Sequence, residues 1–111
     1  ALPAMLEKVK DGKIKLEKMV QKMCHNPAIL FQIEKRGFIR EGYYADLVVA
    51  DLNNPWVVTK ENIAYKCKWS PFENVIFSSK VVHTIINGHL GYTNGEFSET
   101  RNAKRLTFNR P

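Results

Sequence analysis

Apolar residues along this chain first fall at helical spacing and then collapse into short extended runs. Leu2, Met5, Leu6 and Val9 stand at i, i+3, i+4 and i+7, with Glu7, Lys8, Lys10 and Asp11 on the opposite side. That spacing predicts a helix with one apolar face, ended by Gly12 as a C-terminal cap. Leu16, Met19, Val20 and Met23 repeat the stripe, with Glu17, Lys18, Gln21 and Lys22 facing away. The Met residues read as plain packing rather than a partner groove. Asn26-Pro27 then predicts a break, Asn26 as N-cap and Pro27 as first helical residue, with one further turn from Ala28 to Phe31.

From Gly37 the period changes. Gly37 and Gly42 bracket a short extended piece, and Leu47, Val48, Val49 and Ala50 form a continuous apolar run between Asp46 and Asp51. Such a run predicts a strand buried on both faces. Asn53-Asn54-Pro55 is a turn, Trp56 to Thr59 a second strand, and Thr59 an N-cap leading into a helical turn through Ile63, Ala64 and Tyr65. Residues 66–73 hold Trp69, Pro71 and Phe72, so this loop is expected to be pinned onto its own core. Residues 80–97 read as a meander, with Asn87-Gly88 and Asn94-Gly95 as two-residue hairpin loops. The first loop sets Ile86 opposite His89 and His83 opposite Tyr92, which puts His83 and His89 on opposite sheet faces. Ser98 to Pro111 reads as an extended or frayed tail.

With 111 residues, 44% hydrophobic and 25% charged, the chain suits a single soluble unit or a piece of one. No run is long enough to cross a bilayer and no signal-peptide layout stands at the start, so the cytosol is the expected compartment. The net charge of +6 lies largely in Arg101, Lys104, Arg105 and Arg110, and a basic end of this kind is usually solvated. A basic nucleic-acid module using Tyr43, Tyr44, Trp56 and Trp69 is the minor reading.

Cys24 and Cys67 have no C-x-x-C partner and are expected to be free, buried thiols. Cys24 and His25 are adjacent, so they diverge on a helix and make a weak metal pair. His25 is expected to serve carbonyls at the helix end. The sequence contains no P-loop, no G-x-G-x-x-G after a strand, no H-E-x-x-H and no G-x-S-x-G. Its carboxylates are scattered over turns and polar helix faces, so no acid/base pair stands out.

One set of residues carries a resemblance. Asn26-Pro27-Ala28, then Gly37 to Val49 (GFIREGYYADLVV), then Lys80 to Gly88 (KVVHTIING) resemble the C-terminal end of cyclic amidohydrolases, whose pattern is N-P-A, G-x-I-x-x-G-x-x-A-D-L-V and V-x-x-T-x-x-N-G. Ala1 to Glu7 and Cys67 to Glu73 (CKWSPFE) are similar to dihydroorotases in particular. Lys68 and Asn74 stand where Gly is expected, and Lys15 where a Ser or Thr cap is usual.

The resemblance implies an α+β piece with two parts. Residues 1–32 would be the last helices of a (β/α)8 barrel, and 33–100 the C-terminal antiparallel strands of a small β-sandwich, with 101–111 a basic tail. It further implies a zinc-dependent parent enzyme interconverting N-carbamoyl-L-aspartate and dihydroorotate in pyrimidine synthesis, with hydantoinase- or allantoinase-like cyclic amidases as the alternative. The implied metal ligands precede Ala1, so no catalytic, cofactor or metal residue is assigned within this chain and no zinc is expected on it. Its expected partners are the upstream barrel and N-terminal sandwich strands, with self-association through uncovered apolar faces, no membrane and no nucleic acid.

Overall fold

The first helix, α1, runs Leu2–Lys10 and buries Leu6, with Leu2, Met5 and Val9 half-buried beside it. Gly12 closes it in the left-handed region at φ +75°. The Gly12 N–H bonds the Val9 carbonyl and the Lys13 N–H bonds the Lys8 carbonyl, the paired arrangement of a Schellman cap. These features come from a computed structural model that describes residues 1–98 and 103–109.

α2 (Leu16–Val20), a π-turn (Gln21–His25) and α3 (Asn26–Leu30) follow without interruption. The predicted break at Asn26-Pro27 is therefore absent. Asn26 is helical at φ −61°, ψ −43°, and its N–H reaches back to the Gln21 carbonyl, one residue further than an α-helix allows. Proline brings no N–H to the ladder, and widening the turn before it lets the helix pass through. Lys15 begins α2 with an extended backbone and no side-chain bond to the first turn. A Lys15→Ser variant is expected to gain about 1 kcal/mol by supplying that acceptor. Chemical denaturation would show it as a higher midpoint at unchanged slope.

Four strands form an antiparallel sheet in the order β1 (Leu47–Asp51), β4 (Lys80–Ile86), β5 (His89–Thr93), β6 (Glu96–Phe97), and β2 (Trp56–Val57) pairs with β3 (Ile76–Phe77) separately. The chain is thus α+β with antiparallel strands. Leu47–Asp51 is not the doubly buried strand its composition predicts. It lies at the sheet edge, paired only with β4 among the described residues, and Val48 and Val49, on opposite faces, are 50% and 45% exposed.

Both Asn-Gly loops form as expected, with positive φ at Asn87, Gly88, Asn94 and Gly95, the type I′ requirement. Ile86 pairs with His89 as predicted, but His83 faces Thr93 rather than Tyr92, because the register shifts between Thr84 and Ile85. Gly91 is the extra residue on β5, and a Cβ there would meet the Ile86 side chain at 3.2 Å, so the bulge sits where a side chain is least welcome. His83 and Ile86 remain three apart along β4, so the two His stay on opposite faces.

The tail is not frayed where it is described. Phe108 bridges Ile33, the Glu34 N–H bonds the Thr107 carbonyl and the Asn109 N–H bonds the Gln32 carbonyl. Arg101 and Arg110 lie outside the described residues. Thr59 leads into a 3-10 turn at Lys60–Asn62 rather than a longer helical turn. Its N–H donates to Asn62 Oδ1 at 2.9 Å. Glu61 in that turn has its carboxyl held below the ordinary carboxylate range, first by its own backbone N–H and then by the Thr59 hydroxyl. The small stabilisation this brings is present above the usual Glu pKa and fades as pH falls through the lowered value.

Candidate functional site

The main buried cluster is Val58, Ile63 and Phe77, with Ala4 of α1 and Trp56 packed against it. Trp56 donates its indole N–H to the Ser79 carbonyl at 2.8 Å. α1 is fixed onto this cluster by Glu7, which the helical stripe had placed on the outer side. Its two carboxylate oxygens accept from the Ser78 N–H at 2.8 Å and the Ser78 hydroxyl at 3.1 Å. The loop after Tyr65 is only half pinned: Phe72 meets Phe77 edge-on at 5.5 Å and Ser70 is buried, but Trp69 is 63% exposed. Lys68 and Asn74 do stand in glycine-type backbone, at φ +57° and +69°. An open apolar groove of ≈ 220 Å³ runs past Pro3, Trp56, Tyr65, Phe72 and Phe77.

Two clasps hold the extended segment onto its neighbours. In the first, Gly37 adopts φ +82° and lies so close to the helix that an added Cβ would meet the Ala28 methyl at 2.5 Å and the Cys24 carbonyl oxygen at 2.7 Å. His25 Nδ1 is 2.7 Å from the Gly37 carbonyl. A carbonyl only accepts, so Nδ1 carries the proton. The His25 ring stacks on Phe38 at 4.2 Å and 10°. His25 thus serves a distant loop rather than its own helix end.

In the second clasp, Asp46 Oδ2 pairs with Arg36 while Oδ1 accepts the Asn87 N–H at 2.9 Å, and the Gly88 N–H bonds the Ala45 carbonyl at 3.0 Å. Arg36 also lies over Tyr44 at 4.3 Å. The Arg36 side chain is 11% exposed and its Nε has no hydrogen-bond partner among the described residues. Removing the carboxylate would therefore leave a nearly buried cation without its counter-charge, held by the Tyr44 ring and a 3.5 Å bond to the Lys104 carbonyl. Asp46→Ala is expected to cost about 2 kcal/mol, below the full buried-pair value because Asp46 itself is solvated. The loss should appear as a lower Tm with early exchange of the Asn87 and Gly88 amides.

The residues singled out from the sequence do not converge. Cys24 and Cys67 are free, as expected, but both are exposed rather than buried. Cys24 lies in the π-turn and Cys67 in a loop. Among the described residues no three His, Cys, Asp or Glu side chains come together to hold a metal ion. Of the four candidate stacking aromatics, Trp56 turns into the core against Phe77 while Trp69 points outward, so they share no platform. No described helix is long and apolar enough to cross a membrane. What sequence reasoning missed is the pair of clasps. The signal was present: Ala28 and Gly37, and Asp46 and Asn87, are the residues of the recognised pattern.

The comparisons with known proteins agree with that pattern. Residues 2–91 match the family described as Amidohydrolase family. The chain is 36% identical over 89 residues to dihydroorotase of Pyrococcus furiosus, covering 80% of this chain and 21% of that protein. It is 39% identical over 84 residues to dihydroorotase of Endomicrobium trichonymphae, covering 76% and 20%. Its fold is similar to that of an L-hydantoinase (dihydropyrimidinase) from Arthrobacter aurescens, with a TM-score of 0.89 and 30% identity over 96% of this chain and 24% of that one. The chain spans about a fifth of the length of the curated relatives it matches. A family match across most of the sequence leads to one conclusion: the chain belongs to the amidohydrolase family.

Proposed function

We propose that this chain is the C-terminal portion of a dihydroorotase-like, zinc-dependent hydrolase that interconverts N-carbamoyl-L-aspartate and L-dihydroorotate in pyrimidine biosynthesis, in the cytoplasm. The observation that supports it most is the 36% identity to an archaeal dihydroorotase across 80% of the chain. On this reading α1 to α3 are the last helices around a (β/α)8 barrel, and the strands complete a β-sandwich whose remaining strands lie upstream.

The accessible surface supports the reading of a piece made to be covered. It amounts to 8542 Å², where a self-contained monomer of this mass should expose roughly 6,300 Å². Large apolar side chains stand in that open surface: Ile39 is 88% exposed, Leu30 74% and Ile29 64%. The chain's own share in catalysis is then mechanical.

The isolated chain, given zinc and dihydroorotate, is expected to show no turnover above a metal blank and to self-associate in light scattering. Supplying the upstream polypeptide should restore ring opening of dihydroorotate in preference to hydantoin. Turnover by the isolated chain would overturn the inert-piece reading. A reconstituted preference for hydantoin would move the parent to the hydantoinases.

A further inference from the structure

One cleft is lined differently from the apolar faces. It lies between the end of α3, the Gln32 to Arg36 turn, the Phe38 to Tyr43 loop and Asn109. Its lining includes the apolar Ala28, Ile29 and Ile33 and the basic Lys35, Arg36 and Arg40.

Glu34 is the one carboxylate lining it, and its Oε2 already accepts the Thr107 hydroxyl at 2.9 Å. Arg36 is neutralised by Asp46. Arg40 is not: among the described residues neither it nor Lys35 has an ion-pair partner. Yet Arg40 is held in place. Its guanidinium lies 4.1 Å from the Phe38 ring centroid and 5.6 Å from that of Tyr43, and Nη1 donates to the Tyr43 hydroxyl at 3.4 Å.

His25 stacks on the same Phe38 ring at 4.2 Å, so the two groups must take opposite faces. The result is a three-layer stack of imidazole, phenyl and guanidinium. A planar cation stiffened this way loses little freedom when a carboxylate binds its fork.

We propose that this cleft binds an organic anion with an apolar body, its carboxylate on Arg40 and Lys35 and its body on Ile29 and Ile33. Charge and shape both select for that chemistry. A simple inorganic anion would leave the apolar lining wet, and a neutral aromatic would leave the cations unpaired. Ile29 is also one of the exposed apolar residues that the proposed function reads as made to be covered, but the titration below reads binding to this chain alone and does not depend on the dihydroorotase reading.

The test is an amide chemical-shift titration of the 111-residue chain with 1-naphthoate, with 1-naphthalenemethanol and acetate as controls. Naphthoate should shift the amides of Ile29, Ile33, Lys35 and Arg40 and bind at least about fivefold more tightly than either control. Arg40→Gln should remove that preference, and Arg40→Lys should retain only part of it, with the Asn87 and Gly88 amides unmoved as a check on folding. Equal binding of the neutral alcohol, shifts centred on β1 or the Trp56 groove, or an undiminished preference in Arg40→Gln would each overturn the proposal.

Discussion

Replacing Gly37 by Ala is expected to cost about 2 to 5 kcal/mol, enough at its upper end to bring a chain with open apolar faces close to unfolding. Two independent penalties meet at this position. Gly37 holds φ +82°, where an L side chain costs roughly 1–2 kcal/mol. The new methyl would also stand 2.5 Å from the Ala28 Cβ and 2.7 Å from the Cys24 carbonyl oxygen, and overpacking of that kind typically costs about 1–3 kcal/mol. Thermal unfolding followed by circular dichroism should show Tm lowered by more than about 10 °C. The two penalties separate in a double variant. Ala28→Gly with Gly37→Ala relieves the contact between methyls but neither the backbone strain nor the contact with the helix carbonyl, so it should recover only part of the loss. Full recovery would show that the Ala28 contact alone limits this position. A neutral Gly37→Ala would show that the 37–44 segment is not seated on the helix at all.

That same residue shows what the sequence could and could not reveal. Gly37 was legible as a turn glycine, and Asn87-Gly88 and Asn94-Gly95 as hairpin loops, because each turn type demands positive φ within two residues. The helical stripes were legible for the same local reason: Leu6 and Met19, both on the predicted faces, are the residues those helices bury. Facts set by distant partners were not legible. Glu7 reads as an outward acid until Ser78, seventy-one residues later, is placed against it. Asn26-Pro27 reads as a break because the rule for residues before proline is local, and the π-turn that evades it is stabilised by a loop clasped on from Gly37. Leu47 to Ala50 reads as doubly buried, and its composition is that of such a strand, yet among the described residues only β4 pairs with it and both its faces stay partly open. The candidate site followed the same division. The family pattern was visible as letters, but that its letters touch each other in two clasps required coordinates.

The second large effect is expected at Phe77. It is 6% exposed, pairs with Trp56 across β2 and β3, and meets two rings, Trp56 at 5.6 Å and Phe72 at 5.5 Å. Phe77→Ala removes the side chain that Val58, Ile63, Trp56 and Ala4 all pack around, and truncations of this kind cost about 3–5 kcal/mol. The lower end is expected here, because the gap would open into the groove already lined by Phe77 and water could enter it. The readout is specific. Of the two tryptophans, Trp69 is 63% exposed and already in a watery setting, so a red shift of emission in folded Phe77→Ala reports Trp56. Phe72→Ala is the control: at 41% exposed it should cost only about 1–2 kcal/mol and leave the emission almost unchanged. Equal losses for the two variants would mean that the cluster is centred on the outer edge of the groove. In that case α1, held there by Ala4 and Glu7, would depend on the 66–73 loop instead of on β3.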